Sequence, residues 1–156
     1  MMGRTHMAFG AGAGLLVAPL FGASIVPFVA LSTFASLLPD VDHQNSKINR
    51  MLPITRWIPV LFKHRGFFHS IFPPLILYAL FWALNLQTLG LPLMVGYLAH
   101  LGSDCLTRLG CNLLHPFSTF RIQGPILTDG LREYVLFGCV MVANGALVLS
   151  STGMFG

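Results

Sequence analysis

Long apolar runs separated by short polar stretches organise this chain. Residues 7–38 carry no charge, and Gly22 interrupts them between Pro19 and Pro27. A single spanning helix needs roughly 20 residues, so this run is too long for one simple helix and short for two. It predicts a tight hairpin of two helices, about 7–20 and 24–38. At 1.5 Å per residue each reaches only about 22 Å, which calls for tilt in a thinned bilayer or a position partly beneath its surface. A third apolar helix is expected over about 71–87, since Pro73 and Pro74 are tolerated in a first turn. A fourth follows over about 89–107 and a fifth over about 131–151. Two polar stretches, 39–70 and 108–130, remain as loops. Within the first, Ile48 to Phe62 mixes apolar and basic residues around Trp57, which suits either a segment at the membrane interface or a loop with buried anchors. No internal repeat is visible. The expectation is one all-α domain spanning 1–156, an integral membrane bundle of about five hydrophobic helices with two site-bearing loops.

Composition strengthens the membrane reading. Hydrophobic residues make up 54% of the chain and charged residues 9%, against about a quarter charged in soluble domains. A cleavable signal peptide fits poorly, because prolines break the first apolar run and Asp40 and His43 follow it closely. Cys105, Cys111 and Cys139 show no Cys-x-x-Cys spacing and are expected as free thiols. The net charge of +4 is distributed unevenly. With five crossings, all nine basic residues fall on one side: Arg4, the five in loop 39–70, and Arg108, Arg121 and Arg132. The positive-inside rule places that side, with the N-terminus and both loops, in the cytoplasm. No nucleic-acid partner is expected, and the oligomeric state is left open.

The same topology gathers the chain's unusual polar residues. His100 and Asp104, one helical turn apart, share one helix face. His6 precedes helix one, Asp40, Asp42 and His43 follow helix two, and His64 and His69 precede helix three. Each has an ordinary reading taken singly: a hydrogen-bonded packing histidine, a turn aspartate, a loop residue. Together they are harder to dismiss, because ionisable groups at membrane depth are costly and only Asp129 and Glu133 among the five acids lie outside the set. Imidazole and carboxylate without thiolate suit a divalent ion, zinc first, with manganese or iron as alternatives. More than four candidate donors would suit two ions or more, about 3.5–4 Å apart. Arg65 between two candidate ligands matches a phosphate bidentately, or serves simply as a positive-inside anchor. Ser70 and Thr107 could orient ligands. No nucleotide-binding loop or serine-hydrolase elbow is present.

These pieces run in order through Thr5-His6, Leu38-Pro39-Asp40-Val41-Asp42-His43, His64-Arg65-Gly66-x-x-His69-Ser70, Gly96-x-x-x-His100-Leu101-x-x-Asp104-x-x-Thr107 and Pro116-Phe117-Ser118. In that order and spacing the chain resembles the YdjM-like family of bacterial inner-membrane proteins, described as metal-dependent hydrolases. His115 stands where that family often has an aromatic residue, so its membership of the site is open. The short His100-x-x-x-Asp104 element also looks like the metal-binding helix of the zinc-dependent phospholipase C and nuclease P1 group, which implies phosphoester hydrolysis.

The expected function is that of a bacterial inner-membrane, metal-dependent hydrolase acting at the cytoplasmic face on a phospholipid or another amphiphilic phosphoester. His6, Asp40, His64, His69, His100 and Asp104 are the expected metal ligands, with His43 and His115 as further candidates. Asp42 is the expected general base, and Arg65 the group that stabilises developing negative charge. The alternative is a non-enzymatic protein: a metal-binding or transport protein, or a lipid-binding scaffold with a structural metal.

Overall fold

A computed structural model describes residues 1–44, 46–51, 55, 57 and 66–151. Its regular elements are helical: α1 (Gly3–Val17), α2 (Ile25–Ala35), α3 (Lys47–Met51), α4 (Phe72–Ala83), α5 (Gln87–Cys105) and α6 (Leu131–Ser151). Short 3-10 turns occupy Ala18–Phe21, Leu38–Asp42 and Phe67–His69. Among the described residues there is no strand. Two isolated bridges, Thr107 with Ile126 and Cys111 with Ile122, fold the 108–130 stretch back against the end of α5.

The hairpin expected between the first two helices is present. Gly22 at φ 60° closes it, a left-handed conformation that glycine adopts without steric cost. The first helix begins earlier than its apolar run, at Gly3 rather than about residue 7. Thr5 and His6 are fully buried, so packing carries the helix beyond the uncharged stretch. The 39–70 stretch is more ordered than a loop. Asn49, buried in α3, donates to the carbonyls of Val41 (3.0 Å) and His43 (2.9 Å) and ties α3 to the turn bearing Asp40 and Asp42. Most of the expected interfacial segment lies outside the described residues; of its members, Ile48 is buried whereas Met51 and Trp57 are exposed.

Helices α1, α2 and α5 form the centre, with α4 against α5 and α6 against α1. Small residues permit the close approach. A Cβ on Gly96 would lie 1.9 Å from the Ser32 carbonyl oxygen, and one on Gly10 would lie 2.7 Å from Ser36 Cβ. Ser32 Oγ also donates to the Gly10 carbonyl at 3.0 Å. Small residues and interhelical hydrogen bonds are how helices pack where the surroundings are as apolar as the side chains.

The burial pattern is inverted relative to a soluble protein. Thr5, His6, Ser32, Ser36, His69, His100, Ser103 and Asp104 are buried, while Val26 and Leu131 are each 80% exposed. Contiguous exposed apolar surface of this kind marks contact with lipid or a partner. Among the described residues, two segments are long and apolar enough to cross a membrane, Ile25–Asp42 and Leu131–Ser151. The other helices fall short for separate reasons. At about 1.5 Å per residue, α1 and α4 are too short, and α5 is diluted by glycines and by the polar residues it delivers to the interior.

Candidate metal centre

Two helices and two turns deliver five side chains to one buried point. His6 comes from α1, His100 and Asp104 from α5, Asp40 from the turn after α2, and His69 from the turn before α4. The three imidazoles are wholly buried and Asp104 is 1% exposed. The rings of His6 and His100 stack at 3.7 Å between centroids, and His69 stands edge-on to His100 at 5.3 Å. Asp104 Oδ1 lies 3.6 Å from His6 Nε2, and its Oδ2 lies 3.6 Å from His69 Nε2 and 3.7 Å from His100 Nε2. Asp40 Oδ1 is 3.8 Å from His69 Nε2 and 3.9 Å from His100 Nε2. His6, His100 and Asp104 thus form one group of possible ligands, and Asp40, His69 and His100 a second that shares His100.

The hydrogen bonds behind the rings fix which nitrogens face inward as lone pairs. His100 Nδ1 is 2.7 Å from the Ser36 carbonyl, which can only accept, so Nδ1 carries the hydrogen. That carbonyl is available because α2 has just ended. His6 Nδ1 lies 2.8 Å from Ser103 Oγ, whose own hydrogen goes to the His100 carbonyl at 2.8 Å. His6 therefore donates from Nδ1. His69 Nδ1 faces Asp42 Oδ2 at 3.2 Å, another acceptor. The Nε2 atoms of His6 and His100 consequently point lone pairs at the Asp40 and Asp104 carboxylates, and His69 Nε2 does so once its proton is displaced. Neither His6 Nε2 nor His100 Nε2 makes a hydrogen bond among the described residues.

One cation already reaches the cluster, because the Met1 ammonium donates to Asp104 Oδ1 at 2.9 Å; the Asp40 carboxylate and the imidazole Nε2 atoms remain as buried acceptors that a further cation would satisfy. The separations agree with that account. Distances of 3.6–3.9 Å are too long for hydrogen bonds. They lie close to the donor–donor spacing of about 3.4 Å that a tetrahedral ion makes with bonds of about 2.1 Å. The donor set therefore fits a divalent ion. In its absence a proton substitutes: burial acts to lower the pKa of His69, but the Asp40 and Asp42 carboxylates, with Asp104 nearby, raise it to about 9.

Surrounding contacts hold the ligands in place. Tyr97 Oη donates to the Phe68 carbonyl at 2.7 Å, and Cys111 Sγ to the His69 carbonyl at 2.7 Å, so α5 and the 108–130 stretch both grip the His69 turn. Glu133 is wholly buried and accepts from the Met2 and Asp129 amides at 2.6 and 2.7 Å, which fastens the start of α1 to the start of α6.

The remaining sequence candidates take other places. Asp42 is buried behind His69 rather than in either ligand group. Thr107 Oγ1 donates to the Asp104 carbonyl at 2.7 Å and caps α5. Ser70 Oγ donates to the Phe67 carbonyl at 2.7 Å within its turn. His43 is exposed, and His115 is half-buried and outside both ligand groups. His64 and Arg65 lie outside the described residues. Sequence reasoning missed Ser103 and Ser36. Ser103 sits three residues after His100 and beside Asp104, a helical spacing that could have marked it; the Ser36 carbonyl leaves no side-chain signal.

Comparison with known proteins places the chain. No solved structure matches it, and the comparisons do not show the expected likeness to the phospholipase C and nuclease P1 group. A Bacillus subtilis protein, YvsG, is 33% identical over 148 residues that cover 92% of each chain. The inner membrane protein YdjM of Escherichia coli, and that of Shigella flexneri, are 36% identical over 110 residues, covering 66% of this chain and 54% of theirs. The model of the YdjM inner membrane protein family matches residues 1–154, and the chain belongs to that family.

Proposed function

We propose that this protein is a membrane-bound, metal-dependent phosphoesterase of the cytoplasmic face, with a phospholipid or another amphiphilic phosphoester as substrate. The observation that carries the metal is the convergence of three imidazole lone pairs and two carboxylates with no hydrogen bond made at His6 Nε2 or His100 Nε2. His6, Asp40, His69, His100 and Asp104 would hold the ion. Each imidazole has a single inward lone pair, so His100 can serve only one ion, and the shared position of His100 favours one ion over two. A divalent ion there, zinc by the nature of its donors or else manganese or iron, would supply Lewis acidity toward a phosphoryl oxygen and an acidified water.

The chain's own groups divide the remaining work. Asp42 keeps the Nδ1 hydrogen of His69 in place, as carboxylates behind ligand histidines do. Buried there, it is shielded from an incoming water, and Asp40 is better placed as proton acceptor: its side chain is 20% exposed, at the open edge of the cluster. Arg65 would meet the phosphate. The bundle of five apolar helices, with α3 as an added turn, would sit with its basic loops toward the cytoplasm, as the one-sided distribution of Lys and Arg supports. Lipid substrates would then reach the site laterally.

A structural ion is the second reading, favoured by the complete burial of the three imidazoles, because closed shells are the mark of structural sites. Metal analysis of the purified protein alongside His100→Ala and Asp104→Ala, with headgroup release measured on a phospholipid panel, separates the two. Metal lost in both variants together with chelator-sensitive release is the expected result. Undiminished metal in both variants would remove the metal centre. Metal-loaded protein that cleaves no phosphoester yet unfolds on chelation would replace catalysis with the structural role.

A further inference from the structure

Helix α1 has a second face that the metal centre does not use. His6 is buried against α5, whereas Arg4, two residues earlier and so on another side of the helix, is exposed. On that side, α1 and α6 diverge around an open groove of about 790 Å³, within the range of pockets that hold small molecules. Ala11, Leu15, Val29, Met141, Val148 and Leu149 make it apolar, and Arg4 and Lys47 stand at one end.

Three features identify what fits. The two cations have no carboxylate partner among the described residues. Arg4 Nη2 contacts Met2 Sδ at 3.3 Å with its guanidinium 4.6 Å above the Tyr134 ring, and Lys47 Nζ contacts Met7 Sδ at 3.3 Å. The groove follows α1 from Arg4 to Leu15, about 16 Å at 1.5 Å per residue, close to the depth of one leaflet of a hydrocarbon core about 30 Å thick. The open groove also has one fixed wall, where Asn144 on α6 donates to the Ala8 carbonyl at 2.9 Å and holds the two helices together.

The geometry points to this groove as a binding site for one acyl chain of an anionic glycerophospholipid, its phosphate against Arg4 and Lys47. The lipid bridges α1 and α6. The site lies apart from the metal ligands and stands whether or not that centre hydrolyses anything.

Native mass spectrometry of the protein released from nanodiscs of equal phosphatidylglycerol and phosphatidylcholine tests it. Wild type should retain one phosphatidylglycerol in preference to phosphatidylcholine. The double variant Arg4→Gln, Lys47→Gln should lose that preference by roughly ten- to thirty-fold, the effect of two surface cations near an anionic lipid. Gly145→Phe should lose both lipids, because a Cβ there meets nothing within 4 Å and the ring can enter the groove. Helical circular dichroism confirms that each variant is folded. Wild-type lipid retention in either folded variant overturns the site, as does a second copy of the chain found in place of lipid.

Discussion

Replacing Ser103 with alanine tests the tautomer argument directly. Ser103 Oγ accepts the His6 Nδ1 hydrogen at 2.8 Å and passes its own hydrogen to the His100 carbonyl at 2.8 Å. In Ser103→Ala the His6 Nδ1–H is buried without an acceptor, or the ring takes the other tautomer and turns a hydrogen toward the ion. Leaving one buried donor unsatisfied costs about 1–3 kcal/mol, which is roughly a 5- to 150-fold change in an equilibrium constant. Loss of a partner behind a ligand histidine weakens metal affinity by about 10–100-fold in comparable sites, so both routes give the same range. Competition with a graded series of chelators reads this out on purified protein. Ser103→Thr, which keeps the hydroxyl, should hold metal close to the wild-type level. If Ser103→Ala competes as well as wild type, His6 is not a ligand held in this way.

Other outcomes follow from the same contacts. Asp42→Asn should weaken metal binding by about 10–100-fold without abolishing it, whereas complete loss would make Asp42 a direct ligand. Metal affinity should rise with pH and level off near 9. His69 is held above its ordinary value of 6.5 at about 9, so an incoming ion must displace its proton anywhere below that. For the metal-free protein the sign is opposite: the raised pKa contributes stability that is complete below pH 6.5 and lost as pH climbs through 9. Isothermal titration across this window should show close to one proton released per ion from His69, and a pH-independent affinity would contradict it. Gly96→Ala should destabilise the fold by about 1–3 kcal/mol or more, since the added methyl would sit 1.9 Å from the Ser32 carbonyl oxygen. Thermal unfolding in detergent measures this, and an unchanged midpoint would mean that α2 and α5 do not approach so closely.

Much of this protein was legible in the chain. Apolar runs and their breaks at Gly22 and Gly110 mark most of the helices to within a few residues, because turns need residues that tolerate positive φ; the third helix, expected to run to about 87, ends at Ala83, and the turn before α5 falls at Asn85 instead of after residue 87. The metal-ligand candidates stood out because histidine and aspartate are rare and costly in so apolar a sequence. Helical spacing alone put His100 and Asp104 on one face, a local consequence of 3.6 residues per turn. The tertiary structure decided the rest. It selected His6, Asp40, His69, His100 and Asp104 as one cluster and set Asp42 behind it, because that depends on how turns from distant parts of the chain pack against α5. It also revealed Ser103 and the Ser36 carbonyl as the groups that aim the rings. No pattern in the sequence can show this, since a backbone carbonyl has no side-chain identity and a hydrogen-bond direction exists only once both partners are in place.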